Sequence, residues 1–230
     1  KRKDPESAVE YYLSEGYPND SVFEYLLNIA NSDFEDWRKA NPNLPNTDFN
    51  IKLTKFSKSG ALFDILKLSD ISKGVIAKMS ATEVFDLTLA WAQTYDESLA
   101  KLLNDNQDYC LKIFGIERNL EKPRKDFSKW SEVKEGIFYF FDEMFSAYTA
   151  QNKLDFGENL SNEVVKEVLQ KYTAFHDHTL PKEVWFEKLK DFAETVGFAR
   201  DAKAFKLDEA AFKGHVGDIA MILRVALTSK

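Results

Sequence analysis

Cysteine is almost absent from this 230-residue chain. The single thiol, Cys110, excludes an internal disulfide framework and fits a reducing compartment. It lies in an apolar helical pattern and reads as a buried, inert thiol, because a nucleophilic cysteine needs a base within hydrogen-bonding reach. Histidine is nearly as scarce: a His176-Asp-His178 pair and the distant His215. A closed structural metal site normally takes four ligands, and these are too few and too scattered for one. The pair sits at a helix end in a polar loop and reads as solvated. No apolar run approaches the ~20 residues needed to span a membrane. The start, Lys1-Arg-Lys-Asp-Pro5, lacks the apolar core of a signal peptide. These absences lead us to expect a cytoplasmic chain that avoids membranes. No internal repeat, low-complexity tract or run of strands is present either.

What is there is core material and charge. Hydrophobic residues make up 44% and charged residues 30%, as in an ordinary globular protein, and nineteen Phe, nine Tyr and four Trp supply bulk. The net charge of −7 argues against a general nucleic-acid binder. Its distribution argues differently. Residues 50–78 carry six lysines against two aspartates, a local +4. Residues 118–134 carry Arg118, Lys122, Arg124, Lys125, Lys129 and Lys134 against three acids, a local +3, leaving −14 on the remainder. Two basic islands on an acidic body suit local docking of an anion, with repulsion elsewhere. Ordinary solvated helix faces would give the same count.

Along the chain the pattern is helical. Asp4-Pro5 reads as a helix start that Gly16 ends. A second helix begins near Asp20. Ser32-Asp-Phe-Glu35 reads as a capping box for a third, running through Arg38. Asn41-Pro-Asn-Leu-Pro-Asn46 is a loop, and Ile51 and Leu53 suit a short extended piece. Asp64 caps one brief helix and Asp70 another running to Lys78. Ser80-Ala-Thr-Glu83 is a further capping box. Helices follow over about 97–104 and 107–114, then a basic, proline-containing loop from Glu117 to Ser128. Trp130, Val133, Ile137, Phe138, Phe141, Met144 and Phe145 form a long apolar stripe of one helix, which reads as core. Ser161 and Pro181 start two more helices. The last, Asp218 to Thr228, is so apolar that it reads as buried all round. The expected fold is all-α, in three regions: 1–80, 81–150 and 151–230.

No catalytic constellation stands out. Gly214-His-Val-Gly217 before a helix lacks a phosphate-loop lysine and a preceding strand. Lys55-Phe-Ser-Lys-Ser59 imitates the lysine-serine loop of class I aminoacyl-tRNA synthetases. The 54 residues before Lys55, however, contain no histidine and read as helices rather than as a nucleotide-binding sheet. Longer strings say more. Ser57-Lys-Ser-Gly-Ala-Leu-Phe-Asp64 with Lys67-Leu68 and Ile71-Ser-Lys73 resembles the segment after the catalytic domain of bacterial glutamate–tRNA ligases. Lys1-Arg-Lys-Asp-Pro-Glu6 with Tyr11-Tyr12 and Glu15-Gly-Tyr-Pro18 resembles the stretch just beyond that family's true lysine-serine loop. Lys122-Pro-Arg-Lys-Asp126 with Lys129-Trp-Ser131 is similar to part of its helical body. Gly214-His-Val-Gly-Asp218 through Arg224-Val-Ala-Leu-Thr228 is similar to its C-terminal end.

This resemblance covers essentially the whole chain. It implies a fragment: the stem-contact region and the helical bundles of the class I anticodon-binding type. The catalytic domain, with its ATP and magnesium sites, would precede Lys1, so the chain itself would hold no cofactor and be inactive alone. The parent would attach glutamate to tRNA. The partner implied is glutamate-accepting tRNA, with no DNA, no membrane and a monomeric state. Lys55, Lys58 and Lys73 would lie nearer the tRNA stem. Arg118, Lys122, Arg124, Lys125 and Lys129 would meet phosphates or unpaired anticodon bases, Arg124 first and Arg118 second as base readers. No catalytic and no metal residue is expected. The alternatives are a non-catalytic helical protein-interaction module and a small-molecule enzyme whose site carries no legible motif.

Overall fold

Thirteen α-helices joined by short 3-10 turns build the computed structural model, which describes residues 5–56 and 62–230. Among these residues there is no sheet, only isolated bridges between Asn31 and Phe56 and between Ala199 and His215. The all-α expectation holds. The chain folds as two compact units, Lys1–Ile137 and Phe138–Lys230.

The first unit contains α1 (Val9–Glu15), α2 (Asn19–Ala30), α3 (Phe34–Ala40), α4 (Ile65–Lys78), α5 (Ala81–Tyr95), α6 (Glu97–Asp105), α7 (Gln107–Gly115) and α8 (Val133–Ile137). Helix α2 lies against α4, where Tyr17, Tyr25 and Leu68 are buried with Tyr11, Tyr12, Ile65 and Ile71 around them. The Tyr25 hydroxyl accepts the Asp64 amide at 2.6 Å, and Asp64 in turn accepts the amides of Leu66 and Lys67. One aspartate thus starts a single helix through Lys78. Asp70, expected to cap a second helix, lies within α4. The Ser80–Glu83 capping box forms in both directions. Helix α5 packs on α6 and α7, with Val84, Phe85, Leu99, Leu103, Cys110 and Phe114 all buried.

Three other expectations in this unit are revised. The box at Ser32 does not form. Buried Asn31 supplies the turn instead, accepting the Asp33 amide at 3.1 Å and donating to the Lys52 carbonyl. The stripe from Trp130 to Phe145 is not one helix. A 3-10 turn at Trp130–Glu132 leads into α8, and a second at Phe138–Phe140 falls at the boundary between the units. Four aromatics in a row, Phe138 to Phe141, crowd their χ1 rotamers against a helical turn. Ile51 and Leu53 form no strand; a 3-10 turn covers Leu53–Lys55. The Asp4 cap and residues 57–61 lie outside the described residues.

Helix α1 ends where expected. Gly16 is left-handed at φ 80°, and its amide bonds back to Tyr12 and Leu13. The Trp91 indole on α5 donates to the Leu13 carbonyl at 3.0 Å, and the Trp130 amide donates to the Gly16 carbonyl at 2.9 Å. A Cβ on Gly16 would stand 2.8 Å from the Cβ of Trp130 and 2.9 Å from the Trp91 indole nitrogen. Glycine is therefore required twice here, by conformation and by the two tryptophans.

The second unit contains α9 (Asp142–Gln151), α10 (Asn162–Phe175), α11 (Lys182–Thr195), α12 (Ala202–Leu207) and α13 (Val216–Thr228). Its core joins Val165 and Val168 of α10, Leu189 and Phe192 of α11, and Ile219, Ile222 and Leu223 of α13. Helix α13 starts two residues earlier than expected, because His215 caps it: its Nδ1 accepts the Gly217 amide and Asp218 accepts the His215 amide. It is not buried all round, since Arg224 and Leu227 face solvent. The short α12, capped by Asp201, has no apolar period long enough to be read from sequence.

Gly16→Ala should cost about 2–4 kcal/mol, the sum of a left-handed non-glycine residue and overpacking against two rings. Urea denaturation of the variant checks this, and a loss under about 0.5 kcal/mol would mean the turn tolerates a side chain.

Candidate nucleic-acid interface

The loop that carries the second basic island packs against the helix that carries part of the first. Helix α4 carries Lys67, Lys73 and Lys78 of the first, and the loop between α7 and α8 carries most of the second. The join is a set of specific bonds. Ser72 on α4 donates to the Ser128 carbonyl at 2.5 Å, and both serines are buried. Ser128 also engages Glu132, donating from its amide at 2.7 Å and its hydroxyl at 2.8 Å. Lys129 pairs with Glu15 beside Gly16 and lies 5.8 Å from the centre of the Tyr17 ring. Lys125 approaches Asp70 of α4 at 3.6 Å. The strings Glu15-Gly-Tyr and Lys129-Trp-Ser131, separated by more than a hundred residues, touch one another here.

Arg118 has a structural position. Its Nη1 donates to the carbonyls of Ile76 and Met79 at 2.8 and 3.0 Å, and its Nε to Phe114 at 2.7 Å. A guanidinium at the C-terminal end of α4 also complements the helix dipole. Burial pulls it below the usual arginine range, with Asp126 opposing that shift. Arg118 therefore braces the loop against α4 rather than offering a fork outward. Lys129 is held too: burial would lower its ammonium, but the hydrogen bond and charge of Glu15 raise it above the usual lysine value.

The other predicted residues that the structure describes are exposed or half-buried. Arg124 is exposed and forks onto one Asp126 oxygen, from Nη2 at 2.8 Å and Nε at 3.0 Å. Lys122 is exposed and Lys73 half-buried; among the described residues neither has an ion-pair partner. Lys55 pairs with Asp33 at 3.2 Å, and Lys67 reaches Glu35 at 3.9 Å. Lys58 lies outside the described residues. The structure therefore sets Lys125 beside Asp70 of α4, leaves Lys122 and Arg124 exposed on the same loop, and keeps Arg118 and Lys129 as its supports. Sequence reading missed Ser72 and Ser128, whose bond spans 56 positions and leaves no periodic signal. It counted Asp70 and Asp126 as charge subtractions without placing them against their cations.

The remaining candidates offer no chemistry. Cys110 is fully buried on α7, and desolvation pushes its thiol up to about 11, the wrong direction for a nucleophile. His176 and His178 are exposed, with His176 Nδ1 3.1 Å from the Tyr172 hydroxyl. No group of three residues able to hold a metal occurs among the described residues. None of their helices is long and apolar enough to cross a membrane.

Comparison with known proteins gives the following. No protein-family model matches the chain. Over 230 residues it is 46% identical to the glutamate–tRNA ligase of Clostridium perfringens, covering all of this chain and 42% of that protein. It is 42% identical over 231 positions to the glutamate–tRNA ligase of Clostridium beijerinckii, again covering all of the chain and 42% of the relative. It is 41% identical over 230 residues to that of Acetivibrio thermocellus, covering 41% of it. The chain thus spans well under half the length of these curated relatives, and it corresponds to their C-terminal part.

The two arginines of the loop should separate by stability. Arg118→Ala strands the carbonyls of Ile76, Met79 and Phe114 and should cost about 2–3 kcal/mol, as charged hydrogen bonds do when cut. Arg124→Ala should stay within about ±0.5 kcal/mol, as exposed substitutions do. Thermal and urea melts of the pair decide it, and equal losses would contradict the assignment.

Proposed function

Because this chain belongs to the glutamate–tRNA ligase family, we propose that it is the tRNA-binding part of such an enzyme and meets RNA through α4 and the loop of residues 117–129. The observation that carries the reading is identity above 40% along the entire chain, which includes both basic islands. The parent would attach glutamate to tRNA using ATP and magnesium, and those sites would lie outside this chain. Residues 1–80 would contact the stem, and 81–150 and 151–230 would form two anticodon-binding subdomains. This functional division cuts across the compact units, since residues 81–137 fold with 1–80. The same reading makes the chain a cytoplasmic monomer that binds neither DNA nor membrane.

The mechanism is electrostatic positioning followed by base reading. Lys73, Lys122 and Lys125 are point charges suited to phosphates, which fix register without carrying sequence information. Arg124 has a planar fork that can stack on an unpaired base or grip its edge with two N–H groups. Lys55 and Lys58 would extend the contact towards the stem. Because Arg118, Ser72 and Lys129 already fix the loop, little chain entropy would be lost on binding. A protein-interaction module remains the second reading, favoured by the strong exposure of Leu53, Leu62 and Leu66 (82%, 91% and 77%).

Titration with tRNA for glutamate and an anticodon-altered variant, at two salt concentrations, separates these readings. Arg124→Ala should weaken binding by about 1–3 kcal/mol and blunt discrimination between the two RNAs. Lys125→Ala should weaken both equally and lower the salt slope by about 1. Wild-type affinity in the double variant would remove the loop from the interface. The chain alone should also show no glutamate-dependent pyrophosphate exchange, because its described residues hold no nucleotide-binding sheet. Exchange above background, in protein shown free of host synthetase, would contradict that.

A further inference from the structure

Resting on that reading, we propose that Asp126 and Asp70 are built-in carboxylate competitors that occupy Arg124 and Lys125 until RNA phosphates or base edges displace them. The geometry is that of a phosphate mimic. Asp126 takes both Arg124 Nη2 and Nε on a single carboxylate oxygen, at 2.8 and 3.0 Å, so the fork is already occupied in the free chain. Asp70 stands 3.6 Å from the Lys125 ammonium. Neither carboxylate takes part in the bonds that hold the loop, although the Asp126 charge also favours the Arg118 guanidinium. The loop is fixed by the buried Ser72–Ser128 bond, the three Arg118 bonds and the Trp130–Gly16 bond. All four charged side chains are at least one-third exposed, so each pair is screened and exchangeable.

Two consequences follow. An RNA that supplies only scattered backbone charge must give up an ion pair for each one it gains, so its net benefit from Arg124 and Lys125 is small. An RNA that places a base edge or several phosphates in register replaces both pairs at once, at the cost of the two pairs it breaks. The acids therefore lower the affinity of every RNA that displaces them by the energy of the pair it breaks, and leave an RNA that engages neither cation unaffected. Lys73 and Lys122, with no such partner among the described residues, would capture RNA first.

The test measures binding by the whole chain of tRNA for glutamate and of an unrelated tRNA, for wild type, Asp126→Asn, Asp70→Asn and Asp86→Asn. Asp86 is exposed on α5 and pairs with none of these cations, so its variant makes the same change in net charge. Asp126→Asn and Asp70→Asn should each bind tRNA for glutamate about two- to fivefold more tightly, the worth of one exposed pair. The gain for the unrelated tRNA should be no larger, and Asp86→Asn should show neither. The gain from Asp126→Asn should vanish in an Arg124→Ala background, and that from Asp70→Asn in a Lys125→Ala background. A gain that persists there, or equals that of Asp86→Asn, means bulk charge and overturns the proposal. Weaker binding by either asparagine variant would make the acids positioning groups and overturns it as well. Failure of wild type to bind any tRNA would instead overturn the RNA-binding reading itself.

Discussion

One backbone bond sets the geometry of the first unit: the Trp130 amide donating to the carbonyl of Gly16 at 2.9 Å. It forms only because Gly16 adopts φ 80° and carries no Cβ, which would collide with both Trp130 and Trp91. Around it the Trp91 indole caps α1 through Leu13, Lys129 pairs with Glu15, and Ser72 fixes Ser128. These contacts hold the end of a long basic loop against α1 and α4. Arg118 holds the other end. The intervening residues 119–127 are thus tethered twice, and their charges are presented from a framed loop rather than a free one. For a surface proposed to bind RNA this matters energetically, since ordering a loose loop would subtract from every contact it makes.

Charge then divides into two kinds. Arg118 and Lys129 are structural cations, partly desolvated and bonded to carbonyls or to Glu15. Arg124 and Lys125 are surface cations in exposed pairs, each pair worth about 0–1 kcal/mol to folding. Mutation of the first kind tests the fold and mutation of the second tests binding. The overall −7 is compatible with RNA binding because the negative charge lies largely outside residues 50–78 and 118–134. What the surface can offer an anion depends on how readily its own carboxylates are displaced.

Much of this was legible in the sequence where the signal is local. Gly16, Ser80 with Glu83, Asp64 and Ser161 mark helix ends because caps obey short spacings. The all-α class followed from apolar periods. The errors arose where tertiary contacts override local pattern. Ser32 spelled a capping box, but buried Asn31 had a better use for its amide across the bridge to residues 52–56. The stripe from Trp130 to Phe145 kept helical spacing, yet it is divided between two units and broken by consecutive aromatics. Asp70 and Ser72 look like ordinary helix-surface residues; only the fold sets one against Lys125 and buries the other under Ser128. For the site, residue types were readable and roles were not. Arg118 and Arg124 sit six positions apart with the same chemistry, and burial alone separates the brace from the proposed reader.

Lysine acylation with and without saturating tRNA for glutamate, read by mass spectrometry, probes directly whether α4 and the 117–129 loop form one RNA-binding face. Lys73, Lys122 and Lys125 should lose reactivity severalfold together, while Lys101 on α6, paired with Asp105, stays unchanged. Unaltered reactivity at all three lysines, with tRNA demonstrably bound, would contradict the shared face and move the interface elsewhere on the chain.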